Sequence, residues 1–157
     1  MFLFYGWALR KERLVESVPL NRGKNLSVLG AFGAEGMLAQ TRKVGAMKRI
    51  DVERFLEEDL LLKLETGSVL VLDNARIHKG GRIEDIVTAA GCSLLYLSPY
   101  SPDFSPIELA WSWIKNAVRR LCPRDEEARK EAVETAVAAL PTDFTKPWFD
   151  KCGYTLN

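Results

Sequence analysis

Asp73 and Glu108 are the two side chains whose types and positions most suggest chemistry. Asp73 closes the most apolar short run of the chain, Ser68-Val69-Leu70-Val71-Leu72-Asp73. Glu108 follows Pro106-Ile107 at the start of a helical repeat. In an α/β sheet, a carboxylate at the carboxyl end of a central strand stands at the edge where such sheets gather their sites. A second carboxylate, in the first turn of the helix after the next strand, can reach the same edge. The 34 residues between them leave room for strand, helix, strand and loop. Paired carboxylates hold hard cations such as Mg²⁺. Two such ions about 3.5–4 Å apart can activate an attacking oxygen and stabilise a leaving one in phosphodiester chemistry. Each residue also has a plainer reading: Asp73 as a cap for the turn after its strand, Glu108 as a first-turn acid favoured by the helix dipole. Periodicity alone favours the plainer pair.

Other chemistries have little to work with. His78 is the only histidine, and Cys92, Cys122 and Cys152 are odd in number and far apart. That spacing argues against a zinc knuckle and against a disulfide framework. A hydrolase built on His78 would lack its Gly-x-Ser-x-Gly elbow, and Arg22-Gly23-Lys24-Asn25 lacks the frame of a phosphate loop. Lys and Arg number 22 against 21 Asp and Glu, so no global basic excess announces nucleic acid. A hydrophobic share of 47% over 157 residues suits one domain with a core. No run approaches the ~18 apolar residues of a membrane span, and the start has no basic n-region of a leader. The expectation is a cytoplasmic protein with no membrane partner.

The elements that must position the two carboxylates follow from periodicity. Leu26–Phe32 and Met37–Val44 flank Ala34-Glu35-Gly36 and predict a β-hairpin, with Arg13–Val18 as an edge strand. Val52, Phe55, Leu56, Leu60 and Leu64 recur at helical spacing, so Asp51–Leu64 predicts one helix, capped by Asp51 and stopped at Gly67. Ser68–Asp73 predicts a strand buried on both faces. A short helix over 81–90 and a strand over 93–97 come next. Ile107, Trp111, Ile114, Val118 and Leu121 form one stripe of a helix opened by Pro106, and 125–140 predicts another helix. Residues 141–157 show no clear period and are read as a tail to a unit spanning 1–140. The late alternation of β and α implies a partly parallel sheet.

The residues around the carboxylates carry more than spacing. Val69-Leu70-Val71-Leu72-Asp73-Asn74-Ala75-Arg76-Ile77-His78-Lys79, followed by Pro99-Tyr100-Ser101-Pro102-Asp103-Phe104-Ser105-Pro106-Ile107-Glu108-Leu109-Ala110-Trp111, resembles the DDE transposases of the mariner superfamily, in their bacterial insertion-sequence branch. That group has an Asp-Asn-x-x-x-His strand end and a Pro-Tyr-Ser-Pro-Asp-x-x-Pro-Ile-Glu approach to its helix, with Trp three residues after the Glu. One subgroup spaces its second and third carboxylates by thirty-four residues. Weaker similarity runs from Tyr5-Gly6-Trp7 through Glu35-Gly36-Met37 and on to Arg120. Ser98 and Ser105 depart from the family's usual Pro and Asn, and neither position holds metal.

The resemblance implies an α/β, RNase H-like mixed sheet flanked by helices. It implies metal-dependent endonuclease and strand-transfer chemistry in DNA transposition, with Asp73 and Glu108 holding Mg²⁺ or Mn²⁺. Transposon ends and target DNA would be the partners, with a homodimer or an intact transposase copy beside them. The family's first Asp and its first sheet strand lie upstream of the segment like Tyr5-Gly6-Trp7. The expectation is therefore an N-terminally incomplete chain, inactive and marginally stable alone. Glu12 and Glu16 are poor substitutes for that Asp and read as edge-strand charges. A non-catalytic DNA-binding or self-associating remnant is the alternative.

Around the pair, Asn74 is expected to orient Asp73 and His78 to stand near it. Lys115, Arg119 and Arg120 share a polar helix face that can meet phosphates, although a solvated face with cations near the C-terminus explains each one more simply. Arg10, Lys11, Arg13, Arg22 and Lys24 form a weaker basic cluster.

Overall fold

A computed structural model describes residue 10 and residues 24–156. The edge strand expected over Arg13–Val18, Glu12, Glu16 and most of the basic cluster lie outside the described residues.

The hairpin forms as expected. β1 (Leu26–Gly33) pairs antiparallel with β2 (Gly36–Val44), in a register running from Leu26 opposite Val44 to Gly33 opposite Gly36. The turn closes because Gly36 takes φ +111°, a conformation that side chains with a Cβ avoid. A register shift between Ala31 and Phe32 interrupts the ladder near that turn.

α1 (Arg49–Phe55) starts earlier than expected and ends sooner. Lys48, not Asp51, is the N-cap, and Asp51 reaches back from the third helical position to accept from the Lys48 N–H at 2.8 Å. Asp51 thus serves the Lys48 N–H rather than the donors it would serve as the N-cap, and its own N–H bonds the Lys48 carbonyl at 3.0 Å. Lys43 Nζ donates to both Asp51 oxygens at 2.7 Å. That bond, then the Lys48 N–H, holds the carboxyl below its ordinary range. Beyond Phe55 the helix widens into a π turn over Leu56–Leu60 and tightens into a 3₁₀ turn over Leu61–Lys63. Leu56 and Leu60 stay buried throughout.

β3 (Val69–Leu72) and β4 (Ser93–Tyr96) pair in parallel, joined through α2 (Ile83–Ala89). Burial on both faces of β3 is not found. Leu70 is buried, whereas Val69 and Val71 are exposed, as is Leu95 of β4. Alternating side chains serve two faces, and the core that receives Leu70, Leu72 and Leu94 lies on one of them. Ile83, Val87, Val52, Phe55, Leu56 and Leu60 build that core, with Ala39 and Leu29 from the hairpin packed into it. Gly81 permits the closest approach, since a Cβ there would lie 2.3 Å from Glu53 Oε1. Glu53 is itself buried and accepts from the Arg82 N–H at 3.2 Å.

The two ladders share this core without a strand pair joining them among the described residues. α3 (Pro106–Leu121) and α4 (Glu126–Ala138) complete the α/β architecture. Ala110 and Ile114 of α3 are buried, and Trp111 packs so closely that a Cβ at Gly30 would sit 3.0 Å from its ring. Leu121, the last of the expected stripe, is exposed where the helix frays into the left-handed Cys122. Asp125 caps α4 through the Ala128 N–H at 2.8 Å, and Ala132, Val133 and Ala136 point inward. The stretch without a period holds α5 (Thr145–Lys151), whose Trp148 and Phe149 rings lie 5.7 and 5.9 Å from that of Phe32.

Candidate active site

Asp73 directly follows β3. Its carboxylate is 59% exposed, and one oxygen does all the local bonding. Oδ1 accepts from the Ala75 N–H at 3.0 Å and lies 2.6 Å from His78 Nδ1. A carboxylate oxygen accepts, so the Nδ1–H tautomer of the ring is the one that makes this bond. The imidazole is only 14% exposed, far less than its partner. Oδ2 accepts no hydrogen bond from the described residues.

The turn that presents Asp73 is fastened to the neighbouring strand. Leu97 N–H donates to the Leu72 carbonyl at 2.8 Å, which extends the parallel ladder by one bond. Asn74 Nδ2 donates to the Leu97 carbonyl at 3.3 Å. Asn74 therefore anchors the turn to β4 and does not bond Asp73 itself. Residues Arg76–His78 form a single 3₁₀ turn. Tyr96 Oη donates to the His78 carbonyl at 2.9 Å, and Lys79 Nζ lies 5.9 Å from the Tyr96 ring centroid. Burial raises the Tyr96 hydroxyl above its usual pKa, with Glu84 adding to the effect. Nothing in the sequence but a polar-tipped aromatic at a strand end pointed to Tyr96.

Glu108 is carried by another element. The chain leaves β4 at the same carboxyl end, passes a loop holding Pro99, Pro102 and Pro106, and turns into α3. Tyr100 in this loop is fully exposed and takes φ +59°. Ser105 is the N-cap and Pro106 opens the helix, so Glu108 falls in the first turn, exposed. Asp73, Asn74 and His78 thus form one bonded network with β4, and Glu108 stands outside it. Lys115 and Arg120 are exposed further along α3, and Arg119 donates to Asn116 Oδ1 at 2.8 Å.

The donor set fits a hard cation held partly by substrate. Mg²⁺ is usually held by one or two carboxylates with water and phosphate filling the remaining positions. Asp73 keeps a free oxygen, and no cluster of three or more His, Cys, Asp or Glu forms among the described residues. The surface here is open. Two concavities, one lined by Arg42, Lys43, Asp51, Arg54 and Glu58 and one by Glu57, Arg82, Asp85 and Ile86, include neither Asp73 nor Glu108.

Comparison with known proteins bears on family and fold. The family described as DDE superfamily endonuclease matches residues 3–129. No curated protein sequence matches. Among solved structures, the chain is similar to the Mos1 strand transfer complex, with TM-score 0.70 and 16% identity over 95% of this chain and 45% of that one. It is similar also to the Mos1 transposase paired-end complex with left transposon end, with TM-score 0.70 and 18% identity over 94% and 46%. The chain thus spans less than half of either, and the shared architecture is the RNase H-like fold.

Proposed function

The chain belongs to the DDE superfamily endonucleases, and from that premise we propose that it acts on DNA in transposition, with Asp73 and Glu108 as its metal-holding carboxylates. The observation that carries this reading is the Asp73 turn: a strand-end carboxylate with one oxygen fixed by Ala75 and His78 and the other free. Mg²⁺ or Mn²⁺, when bound, would polarise a phosphodiester oxygen and lower the pKa of an attacking water. The chain's own residues supply the frame. His78 holds Asp73 in one orientation. Pro106 and the seat of Trp111 fix the helix that carries Glu108. Lys115, Arg119 and Arg120 line the same helix, where cations meet DNA phosphates.

The motifs favour the bacterial insertion-sequence branch, with transposon ends and target DNA as partners, and the cytoplasm is proposed as the place of action. We assign the RNase H-like unit to residues 1–140, with 141–157 as a C-terminal tail.

The test pairs metal binding with cleavage. Mn²⁺ titrated into the purified chain should bind weakly, and Asp73→Ala and Glu108→Ala should each remove that binding. Any chelator-sensitive nicking of DNA should be lost in the same variants. Metal binding or metal-dependent nicking that survives both changes would rule the assignment out.

A second reading, a non-catalytic DNA-binding or self-associating chain, is favoured by one feature. Val69, Val71 and Leu95 leave an apolar stripe on the exposed face of β3 and β4. Sedimentation across a concentration series separates the two: a dimer that binds DNA without any metal response supports this reading over the first.

A further inference from the structure

Leu72 pairs with Tyr96 in the parallel register, so Tyr96 stands beside the residue that immediately precedes Asp73. Along β4, Leu94 and Tyr96 are half-buried while Ser93 and Leu95 are exposed, which turns the Tyr96 ring toward the core side of the sheet. A ring there needs no hydroxyl to fill space. Yet the hydroxyl donates at 2.9 Å to the carbonyl of His78, 18 residues away in sequence. The same residue's Nδ1 then lies 2.6 Å from Asp73 Oδ1. The connection runs from the rigid strand, through one phenol, to the backbone of the turn whose imidazole orients the carboxylate.

We propose that Tyr96 is a positioning residue for Asp73: its hydroxyl pins the Arg76–His78 turn so that His78 Nδ1–H holds Oδ1 and leaves Oδ2 for a divalent cation. The proposal rests on the reading of Asp73 as a metal ligand. Asn74 adds a separate tie at the start of the turn, to the Leu97 carbonyl. Burial raises the phenol pKa, so the group stays protonated and donating at neutral pH. The imidazole tautomer is set by the bond its Nδ1 makes, and that bond depends on where the turn is held.

The chain has a single histidine, which makes the test direct. In the full chain labelled with ¹⁵N-histidine, the side-chain ¹H–¹⁵N spectrum contains one imidazole. The expected wild-type pattern is Nδ1–H, and Asp73→Asn should change it. Tyr96→Phe keeps the ring and removes only the hydroxyl. It should shift the pattern toward the Nε2–H tautomer and raise the Mg²⁺ midpoint, followed on the same signals, by about fivefold, as expected for one lost hydrogen bond. A Tyr96→Phe chain with unchanged tautomer and midpoint overturns the proposal. So does an Nε2–H tautomer in the wild-type chain, which needs no variant to fold. A wild-type imidazole indifferent to Mg²⁺ speaks instead against Asp73 as a ligand, while the tautomer comparison still reports on the pin.

Discussion

The two carboxylates of the candidate site are held by different means. Asp73 sits on a short turn fixed by individual bonds: Ala75 and His78 to its own oxygen, Asn74 to the Leu97 carbonyl, and Tyr96 of β4 to the His78 carbonyl. Glu108 sits on a helix fixed by packing, with Pro106 at its start and Trp111 pressed against Gly30. Bonds orient a single side chain but add little to global stability, because each replaces a bond to water. Packing adds stability and orients everything the helix carries. One carboxylate can therefore be disturbed without unfolding the chain, and the other cannot easily be moved without loosening the fold.

This contrast can be broken from either side. Trp111→Ala should have the largest effect, a loss of about 3 kcal/mol for a large aromatic packed against a strand, read as a fall in Tm of roughly 6–12 °C. Gly30→Val attacks the same seat from the strand and should cost about 2 kcal/mol by overpacking, since even a Cβ would meet the Trp111 ring at 3.0 Å. Urea denaturation measures both. A Trp111→Ala chain as stable as wild type would mean that the helix is not held by its packing. His78→Ala should do the reverse, keeping Tm within about 2 °C and weakening Mn²⁺ binding roughly fivefold. A large loss of stability there would erase the distinction between the two regions.

Asp51→Asn serves as a reference remote from both. It removes the charge that pairs with Lys43 and weakens the bond to the Lys48 N–H, and should lower Tm by about 3 °C at pH 7, the shift for ~1 kcal/mol in a domain of this size. The sign of its pH dependence follows from the lowered pKa. The carboxylate's contribution is present above its unfolded value of about 4 and is lost as pH falls through the lower folded value. The Tm gap between variant and wild type should close on acidification below pH ~4.

The hairpin, the parallel pair and the Pro106 start of α3 were legible because each depends on local pattern: a Gly turn, a β-branched run, a proline position. Type and spacing left Asp73 and Glu108 with two readings each, and it was the motifs around them that favoured the chemical one. What escaped depends on partners distant in sequence. An apolar run cannot tell whether a second layer covers it, so the exposure of Val69 and Val71 was missed. Lys48 and Asp51 divide the capping differently because Lys43, on the hairpin, draws the carboxylate to itself. α5 includes Pro147 and is held by ring contacts with Phe32, which no helical period records. The bonds of Asn74 and Tyr96 arise only once β3 and β4 are in register.

One contact gives the site a place in time as well as in space. The Tyr154 hydroxyl donates at 2.8 Å to the carbonyl of Phe104, 50 residues earlier, in the loop that leads into α3. A ribosome adding ~5–20 residues per second needs roughly 2.5–10 s to span that interval. Through that delay the approach to Glu108 lacks this fastening.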